Sequence, residues 1–264
     1  MTAFKINPVI LDLGVIQIRW YSLSYILGIL IGLFLAQKIL EWAKIKIKKE
    51  KLRDYINWVV ISIILGGRLG YVAFYNFDYY LSNPIEIFKI YNGGMSFHGA
   101  LISYLIFTYI FAKKNKLDWR LLLDVSALVV PIGLFLGRIA NFINSELYGR
   151  VTNISWGIIY PTVDFKTRHP SQIYEAMLEG VLLFILLNYL NKKFSIIKYR
   201  LLTTSLFLVF YSIFRIFAEF YREPDYQIGF FFKYFTLGQI LSLFMLLIGI
   251  FLLIKIKKSY VYKR

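Results

Sequence analysis

Long apolar runs separated by short polar segments dominate the hydrophobic pattern of this chain. A helix needs about 20 mostly apolar residues to cross the hydrocarbon core of a bilayer. Seven runs meet or approach this length, at about 20–42, 55–76, 97–112, 121–143, 172–190, 201–221 and 237–254. The pattern therefore predicts an all-α polytopic membrane protein with seven transmembrane helices.

Composition supports this prediction. Of the 264 residues, 58% are hydrophobic and only 17% are charged. Soluble domains have about 45–50% apolar and about 25% charged residues, so a water-soluble fold and a disordered chain are both excluded. No linker or shift in composition divides the sequence, and we expect a single integral membrane domain over residues 1–264.

The basic residues predict the orientation in the membrane. The chain has a net charge of +16, and most of its 31 Lys and Arg residues lie around 38–53, 113–120, 192–200 and 255–264. The positive-inside rule places these segments in the cytoplasm, so the N-terminus is expected outside and the C-terminus in the cytoplasm. A removable signal peptide is not expected, because the first 19 residues lack a basic start and a small-residue cleavage site. Since the charge lies in loops between spans, no nucleic-acid partner is expected either.

Three segments on the predicted outer side are long enough to be more than turns. They cover about 77–95, 144–171 and 222–236. The middle segment alternates apolar side chains at Ile154, Trp156, Ile158 and Tyr160, which is typical of short strands. We expect these segments to form a small extracytoplasmic cap.

Two residue types limit the chemistry. The sequence contains no Cys, which excludes disulfides, thiolate metal sites and a cysteine nucleophile. It contains only 2 His, so a histidine-rich metal centre is not expected. We therefore predict neither a metal nor a cofactor.

Three arginines fall inside predicted spans: Arg68, Arg138 and Arg215. A charge near the bilayer centre costs at least about 2.5–3.5 kcal/mol on insertion scales, so such residues indicate function. All three are expected in the outer half of the membrane, where a positive surplus would suit a phospholipid headgroup. Arginine also binds phosphate through two parallel hydrogen bonds.

The alternative is that the arginines only hold helices together. Their partners would then be carboxylates of the spans: Asp124, Glu175, Glu179 and Glu219. Glu219 lies one helical turn after Arg215, and this spacing predicts an ion pair. The sequence leaves both interpretations open.

Two further residues lie near predicted helix starts. His98 follows a Gly-Gly turn at the start of the third span, where a neutral imidazole could accept a proton. A purely structural histidine explains the same position equally well. Tyr21 opens the first span, and interfacial tyrosines usually belong to the aromatic belt.

Several motifs resemble those of bacterial prolipoprotein diacylglyceryl transferases. The most specific is GRIANFINSELYGR at 137–150. Others agree in order and spacing: WYSLSY (20–25), GGRLGYV (66–72), GGMSFHGA (93–100), HPSQIYEA (169–176), FRIFAEFYREPD (214–225) and TLGQILS (236–242). Together they extend from the first predicted span to the last.

The resemblance implies a multi-pass enzyme of the bacterial plasma (inner) membrane. Such an enzyme moves the diacylglyceryl group of phosphatidylglycerol to the lipobox cysteine in the signal peptide of a preprolipoprotein, forming a thioether and releasing glycerol phosphate. Its expected partners are phosphatidylglycerol, lipobox-bearing preprolipoproteins and membrane lipid, and we expect a monomer.

The resemblance also points to site residues. Those expected to be catalytic are His98, Arg138 and Arg215, and those expected to bind substrate are Tyr21, Asn141, Glu146, Gly149, Tyr211 and Glu219. Arg68 joins the substrate-binding set because of its place inside a span. His98 is the candidate base for the substrate thiol, although arginine charge nearby would also favour the thiolate and make a dedicated base unnecessary.

A non-enzymatic transporter or binder of anionic lipid headgroups is the main alternative function. Transporters often contain paired repeats and interrupted helices in both halves, and the sequence displays neither. A retinal protein is excluded because the seventh predicted span, 237–254, has no lysine to form a Schiff base.

Overall fold

The computed structural model describes residues 6–14, 17–90, 93–224, 229–231 and 234–261. Part of the predicted outer segments, at 91–92, 225–228 and 232–233, lies outside the described residues. The long helices are α1 (Trp20–Trp42), α2 (Lys49–Tyr75), α4 (Phe97–Asn115), α5 (Trp119–Ile143), α8 (Leu202–Glu219) and α9 (Leu237–Val261). Another long helical segment consists of α6 (Ser171–Glu175), a π-helix (Ala176–Leu182) and α7 (Leu183–Phe194).

Short elements connect the long helices. They are helix α3 (Phe77–Ser82), 3₁₀ turns at Pro84–Phe88 and Ile196–Lys198, and six strands: β1 (Val9–Asp12), β2 (Gln17–Arg19), β3 (Ile158–Ile159), β4 (Thr167–Arg168), β5 (Phe230–Phe231) and β6 (Phe235–Thr236). The strands pair antiparallel as β1–β2, β3–β4 and β5–β6.

Six helices of the described part are long and apolar enough to cross a membrane, which confirms a polytopic, mostly helical fold. They correspond to six of the seven predicted spans. The remaining predicted span, 97–112, is the helix α4, whose apolar run is shortened by His98 at one end and by Lys113 and Lys114 at the other. The seventh crossing therefore stays a prediction.

The chain divides into two compact units, residues 40–123 and residues 1–39 with 124–264. In the smaller unit, glycines let α2 and α4 pack closely. A Cβ at Gly70 would lie 2.7 Å from the Cα of Gly99, and a Cβ at Gly66 would lie 2.5 Å from the carbonyl oxygen of Gly99. The small-residue spacing in the second predicted span thus marks a true helix contact.

In the larger unit, a buried carboxylate holds the start of α8. Asp124 of α5 is fully buried. It accepts hydrogen bonds from the backbone nitrogens of Leu201 (2.6 Å) and Thr204 (2.8 Å), and from the Thr204 hydroxyl (2.8 Å). The first turn of a helix has unpaired N–H donors, and here a neighbouring helix supplies the cap. Asp124 is therefore not a partner of any of the three span arginines.

The segment 144–171 is only partly β-structure. The predicted alternation from Ile154 to Tyr160 gives one short strand, β3, which pairs with β4. Trp156 lies in a turn instead. Tyr160 is fully buried and donates a hydrogen bond to Oε1 of Gln172 at 3.0 Å. The segment is thus anchored to the start of the span Ser171–Phe194.

Candidate active site

Buried arginines and glutamates from three helical segments form one ion-pair cluster in the larger unit. Arg138 of α5 places Nε 3.1 Å from Oε2 of Glu175 and Nη2 3.3 Å from Oε2 of Glu179. Arg215 of α8 also contacts both carboxylates. Its Nη1 pairs with Oε1 of Glu175 and lies 3.6 Å from Oε1 of Glu179. Its Nη2 lies 2.6 Å from Oε2 of Glu219, which confirms the predicted pair.

The π-helix contributes to this geometry. Glu175 ends α6, and Glu179 lies within the π-helix Ala176–Leu182. Such insertions widen the helical turn and occur frequently at functional sites. Both glutamate side chains are completely buried, and both face the same two guanidinium groups.

Within this cluster the positive surplus expected from the sequence does not exist. Arg222 adds a third cation, with Nη1 3.9 Å from Oε1 of Glu175. Three arginines thus face three glutamates, and the formal charge of the cluster is zero. The sequence could not reveal this balance, because Glu175 and Glu179 lie on a different helix and their approach to the arginines is set by tertiary packing.

The carboxylate of Glu219 is held from a second direction. The Thr236 hydroxyl donates to its Oε1 at 2.9 Å, and Oε1 of Gln239 accepts from the backbone nitrogen of Thr236 at 3.1 Å. A Cβ added at Gly238 would lie 2.6 Å from the same Glu219 oxygen. The start of α9 therefore fixes the partner of Arg215.

Tyr211, one turn before Arg215 on α8, stacks on Phe207 with ring centroids 5.6 Å apart and interacts electrostatically with the cluster.

A second polar group lies one turn further along α5. Nδ2 of Asn141 donates to Oε2 of Glu146 at 3.0 Å. Nδ2 of Asn144 donates to Oε1 of the same carboxylate at 3.3 Å. The Glu146 backbone carbonyl accepts from Nε2 of Gln172 at 2.6 Å. Asn141 is buried, whereas the Glu146 side chain is exposed and is available to a ligand.

Gly149 lies where three backbone segments meet. Its nitrogen donates to the His169 carbonyl at 3.0 Å, its carbonyl accepts from Arg168 at 3.0 Å, and it forms a β-bridge with Arg222. A Cβ here would lie 2.2 Å from the His169 oxygen and 2.7 Å from the Tyr221 oxygen. Only glycine fits, so Gly149 acts through the backbone.

Arg168 and His169 brace the segment 144–171. Arg168 pairs with Asp164 at 2.7 Å and Glu223 at 3.2 Å, and the hydrogen bonds from Arg168 lower the pKa of Asp164. His169 packs against Tyr174 and Tyr221, with ring centroids 5.9 and 5.1 Å away, and burial lowers its pKa. A neutral His169 packed among phenols fits a structural role.

The structure places Arg68 in a different environment from the other two span arginines. In the smaller unit, its guanidinium donates five hydrogen bonds to backbone carbonyls, at 2.5–3.3 Å. The acceptors are Glu86, Ile87, Lys89, Gly93 and Gly94. A guanidinium has five N–H donors in all, so this one holds the loop before α4 and has no donor left. Its proposed role in substrate binding stays a prediction.

His98 and Tyr21 lie at helix starts, as the sequence predicted. His98 is exposed in the first turn of α4 and packs against Phe97, with ring centroids 5.6 Å apart. Tyr21 of α1 accepts a hydrogen bond from the Tyr25 hydroxyl at 3.3 Å, and Tyr25 interacts electrostatically with Glu146. Tyr21 thus belongs to the larger unit, with Arg138 and Asn141, and His98 to the smaller one.

Comparison with known proteins identifies the family. A family model described as "Prolipoprotein diacylglyceryl transferase" matches residues 8–255. The chain belongs to this family. The phosphatidylglycerol–prolipoprotein diacylglyceryl transferase of Rickettsia bellii (strain OSU 85-389) is 55% identical over 255 residues, which is 97% of each chain. The enzymes of that name from Rickettsia canadensis (strain McKiel) and Rickettsia felis (strain ATCC VR-1525 / URRWXCal2) are 55% and 53% identical, over 93% and 96% of this chain and 95% and 98% of their own length.

The family assignment and the ion-pair cluster are independent findings. The family confirms the resemblance of the motifs, whereas the cluster shows which of their polar residues lie together. From the sequence, Glu175 and Glu179 were expected only as possible partners of arginines and not as site residues. Their spacing of four residues within HPSQIYEAMLEG (169–180) places both on one helix face. This spacing is the sequence feature that could have identified them as site residues.

Substitution of Gly149 tests the backbone junction. We expect Gly149→Ala to abolish activity and lower the thermal stability of the purified protein, because a Cβ at 2.2 Å from a carbonyl forces the backbone apart. Gly137→Ala is the matched control, since a Cβ there meets nothing within 4 Å. The control should retain its activity and its thermal stability, the latter measured by thermal unfolding in detergent. A Gly149→Ala protein with normal stability would contradict the close packing.

Proposed function

We propose that this protein transfers the diacylglyceryl group of phosphatidylglycerol to the thiol of a lipobox cysteine in a preprolipoprotein. The thiolate sulfur attacks the glyceryl carbon, a thioether forms, and the bond between that carbon and the phosphate oxygen breaks. Glycerol phosphate leaves with the bonding electrons. The observation that carries this proposal is a buried arginine cluster in a chain that belongs to the transferase family.

In this mechanism Arg138 and Arg215 bind the phosphate and stabilise the charge that grows on the leaving oxygens. Both guanidinium groups are oriented by fully buried carboxylates before substrate arrives. Donors fixed in this way need no reorganisation during the reaction, and they act strongly in a site from which water is excluded. Glu219 positions Arg215, and Tyr211 lines the same part of α8.

The polar group around Glu146 is proposed to orient the glycerol head. Glu146 is exposed and held by Asn141 and Asn144, so it can accept hydrogen bonds from hydroxyl groups. Tyr21 is proposed to contact the lipid beside it. Gly149 shapes this region through the backbone.

His98 is proposed as the base that receives the thiol proton. A thiol has a pKa of about 8.5 and must lose its proton to attack well. The exposed imidazole at the start of α4 is available to a substrate. Arginine charge that favours the thiolate is the alternative source of activation, and it would leave His98 a structural role.

The proposed setting is the bacterial plasma (inner) membrane, with a monomeric protein that has seven crossings. Its C-terminus is cytoplasmic, and the outer segments at 77–95, 144–171 and 222–236 lie outside. The basic loops support this orientation through the positive-inside rule.

Conservative replacement of one arginine tests the site. We expect purified wild-type protein to release glycerol phosphate from phosphatidylglycerol in the presence of a lipobox peptide. Arg138→Lys should reduce this rate by about tenfold to a thousandfold. Lysine keeps the charge but lacks the planar guanidinium fork, whose several N–H donors can bond Glu175, Glu179 and phosphate at the same time. Arg120→Lys is the control, since Arg120 is an exposed residue paired with Asp118. Near-normal turnover of Arg138→Lys would show that the fork is not needed.

Reporter fusions test the orientation independently of the enzymology. A reporter that is active only outside the cytoplasm should be active when fused after Thr162, within the segment 144–171. The same reporter should be inactive after Asn115 or Lys258, which lie within the basic segments 113–120 and 255–264. The reverse pattern would contradict the proposed orientation and place the arginine cluster in the cytoplasmic half of the membrane.

A further inference from the structure

The charge balance of the buried cluster has a consequence for lipid binding. Three arginines and three glutamates neutralise one another before any ligand is present: Arg138, Arg215, Arg222, Glu175, Glu179 and Glu219. This consequence rests on the proposed function, in which the phosphate of phosphatidylglycerol enters this cluster. That phosphate carries one negative charge.

The surrounding elements offer little to balance an added anion. Among the described residues, α5 contributes Arg138, α6 and the π-helix contribute the two glutamates, and α8 contributes Tyr211, Arg215 and Glu219. Arg222 follows α8, and the start of α9 contributes the neutral Thr236 and Gln239 through Glu219. Arg138 is 15% exposed at its side chain, and Glu175 and Glu179 are not exposed at all.

An uncompensated charge in such a place is expensive, and a buried group usually changes its protonation state to avoid it. Arginine keeps its proton in proteins, so it cannot adjust. A carboxylate beside a second anion can take up a proton and become neutral. When phosphate competes for the guanidinium groups, Glu175, Glu179 and Glu219 all lose arginine contacts. Glu219 keeps the hydrogen bond from the Thr236 hydroxyl, which leaves Glu175 and Glu179 as the carboxylates without another donor in the described part of the chain.

Glu179 is the better placed of the two. One oxygen of each glutamate, Oε2 of Glu175 and Oε1 of Glu179, is buried without a hydrogen-bond partner among the described residues, so this feature does not distinguish them. Oε1 of Glu179 lies 3.6 Å from Arg215, so its contact with that arginine is the weaker one. Glu175 contacts Arg138, Arg215 and Arg222 and would lose more by becoming neutral.

We propose that phosphatidylglycerol binds together with one proton, which is taken up by the Glu175–Glu179 pair, chiefly on Glu179. The two glutamates are positioning residues, which orient the guanidinium groups while no lipid is bound. When one carboxyl becomes neutral, its ion pair with arginine weakens and the guanidinium groups can bind phosphate. Since binding takes up a proton, affinity rises as the pH falls. One proton of linkage changes the Kd about tenfold for each pH unit over which it applies.

The test measures lipid affinity as a function of pH. Short-chain phosphatidylglycerol is titrated into the detergent-purified full chain between pH 6 and pH 8, by calorimetry in two buffers of different ionisation enthalpy. The wild-type Kd should rise by about a hundredfold across these two pH units, and the buffer difference should reveal about one proton taken up per lipid.

Neutral variants give the sharper result. Glu179→Gln or Glu175→Gln removes one negative charge, so the lipid anion restores neutrality without a proton. Both variants should bind with a Kd that changes less than about twofold with pH, and Glu179→Gln should bind more tightly than wild type at pH 8. A merely structural glutamate predicts the opposite, weaker binding at every pH. Glu41→Gln, at an exposed carboxylate near the end of α1, should keep the wild-type profile.

A wild-type Kd that changes less than about threefold, or a Glu179→Gln variant that keeps the wild-type slope, would overturn this inference and leave the proposed function intact. A wild-type protein that binds no phosphatidylglycerol at any pH would overturn both. If neither glutamine variant folds, the proton count of the wild type decides the question alone.

Discussion

The buried ion pairs among Arg138, Glu175, Glu179 and Arg215 are the constraint on which the rest of the larger unit depends. They join α5, the π-helix segment and α8 at one point. Removing one partner of a buried pair leaves an uncompensated charge and costs about 3–5 kcal/mol. The helices therefore have little freedom to shift relative to one another near the site. The same pairs fix two guanidinium forks in direction, as phosphate recognition requires.

Support for this cluster comes from groups at both ends of α8. Asp124 anchors the first turn of α8, and Thr236 holds the carboxylate of Glu219. At the other end, Gly149 ties the segment 144–171 to Arg222. The start and the end of α8 are thus both fixed from neighbouring elements, which places Arg215 between two anchored ends.

Much of the fold follows from sequence periodicity, because span length and helical spacing are local properties. The Arg215–Glu219 pair was predictable for the same reason, since its residues lie one turn apart. The partners of Arg68 could not be predicted, because the backbone carbonyls that surround it come from a loop whose path the sequence does not specify. The partners of Arg138 and the capping by Asp124 join residues about 40 and 80 positions apart and depend on tertiary packing. The motifs predicted the family, but only the structure revealed that the cluster is neutral.

The most direct measurement compares phosphatidylglycerol affinity, activity and thermal stability of Arg215→Gln with those of the double variant Arg215→Gln/Glu219→Gln. The single variant leaves an excess of buried negative charge, and the double variant restores the balance. If Arg215 holds phosphate, the double variant regains stability but stays inactive and binds phosphatidylglycerol weakly. A stable, active double variant with normal lipid affinity would contradict the account and remove Arg215 from the catalytic set.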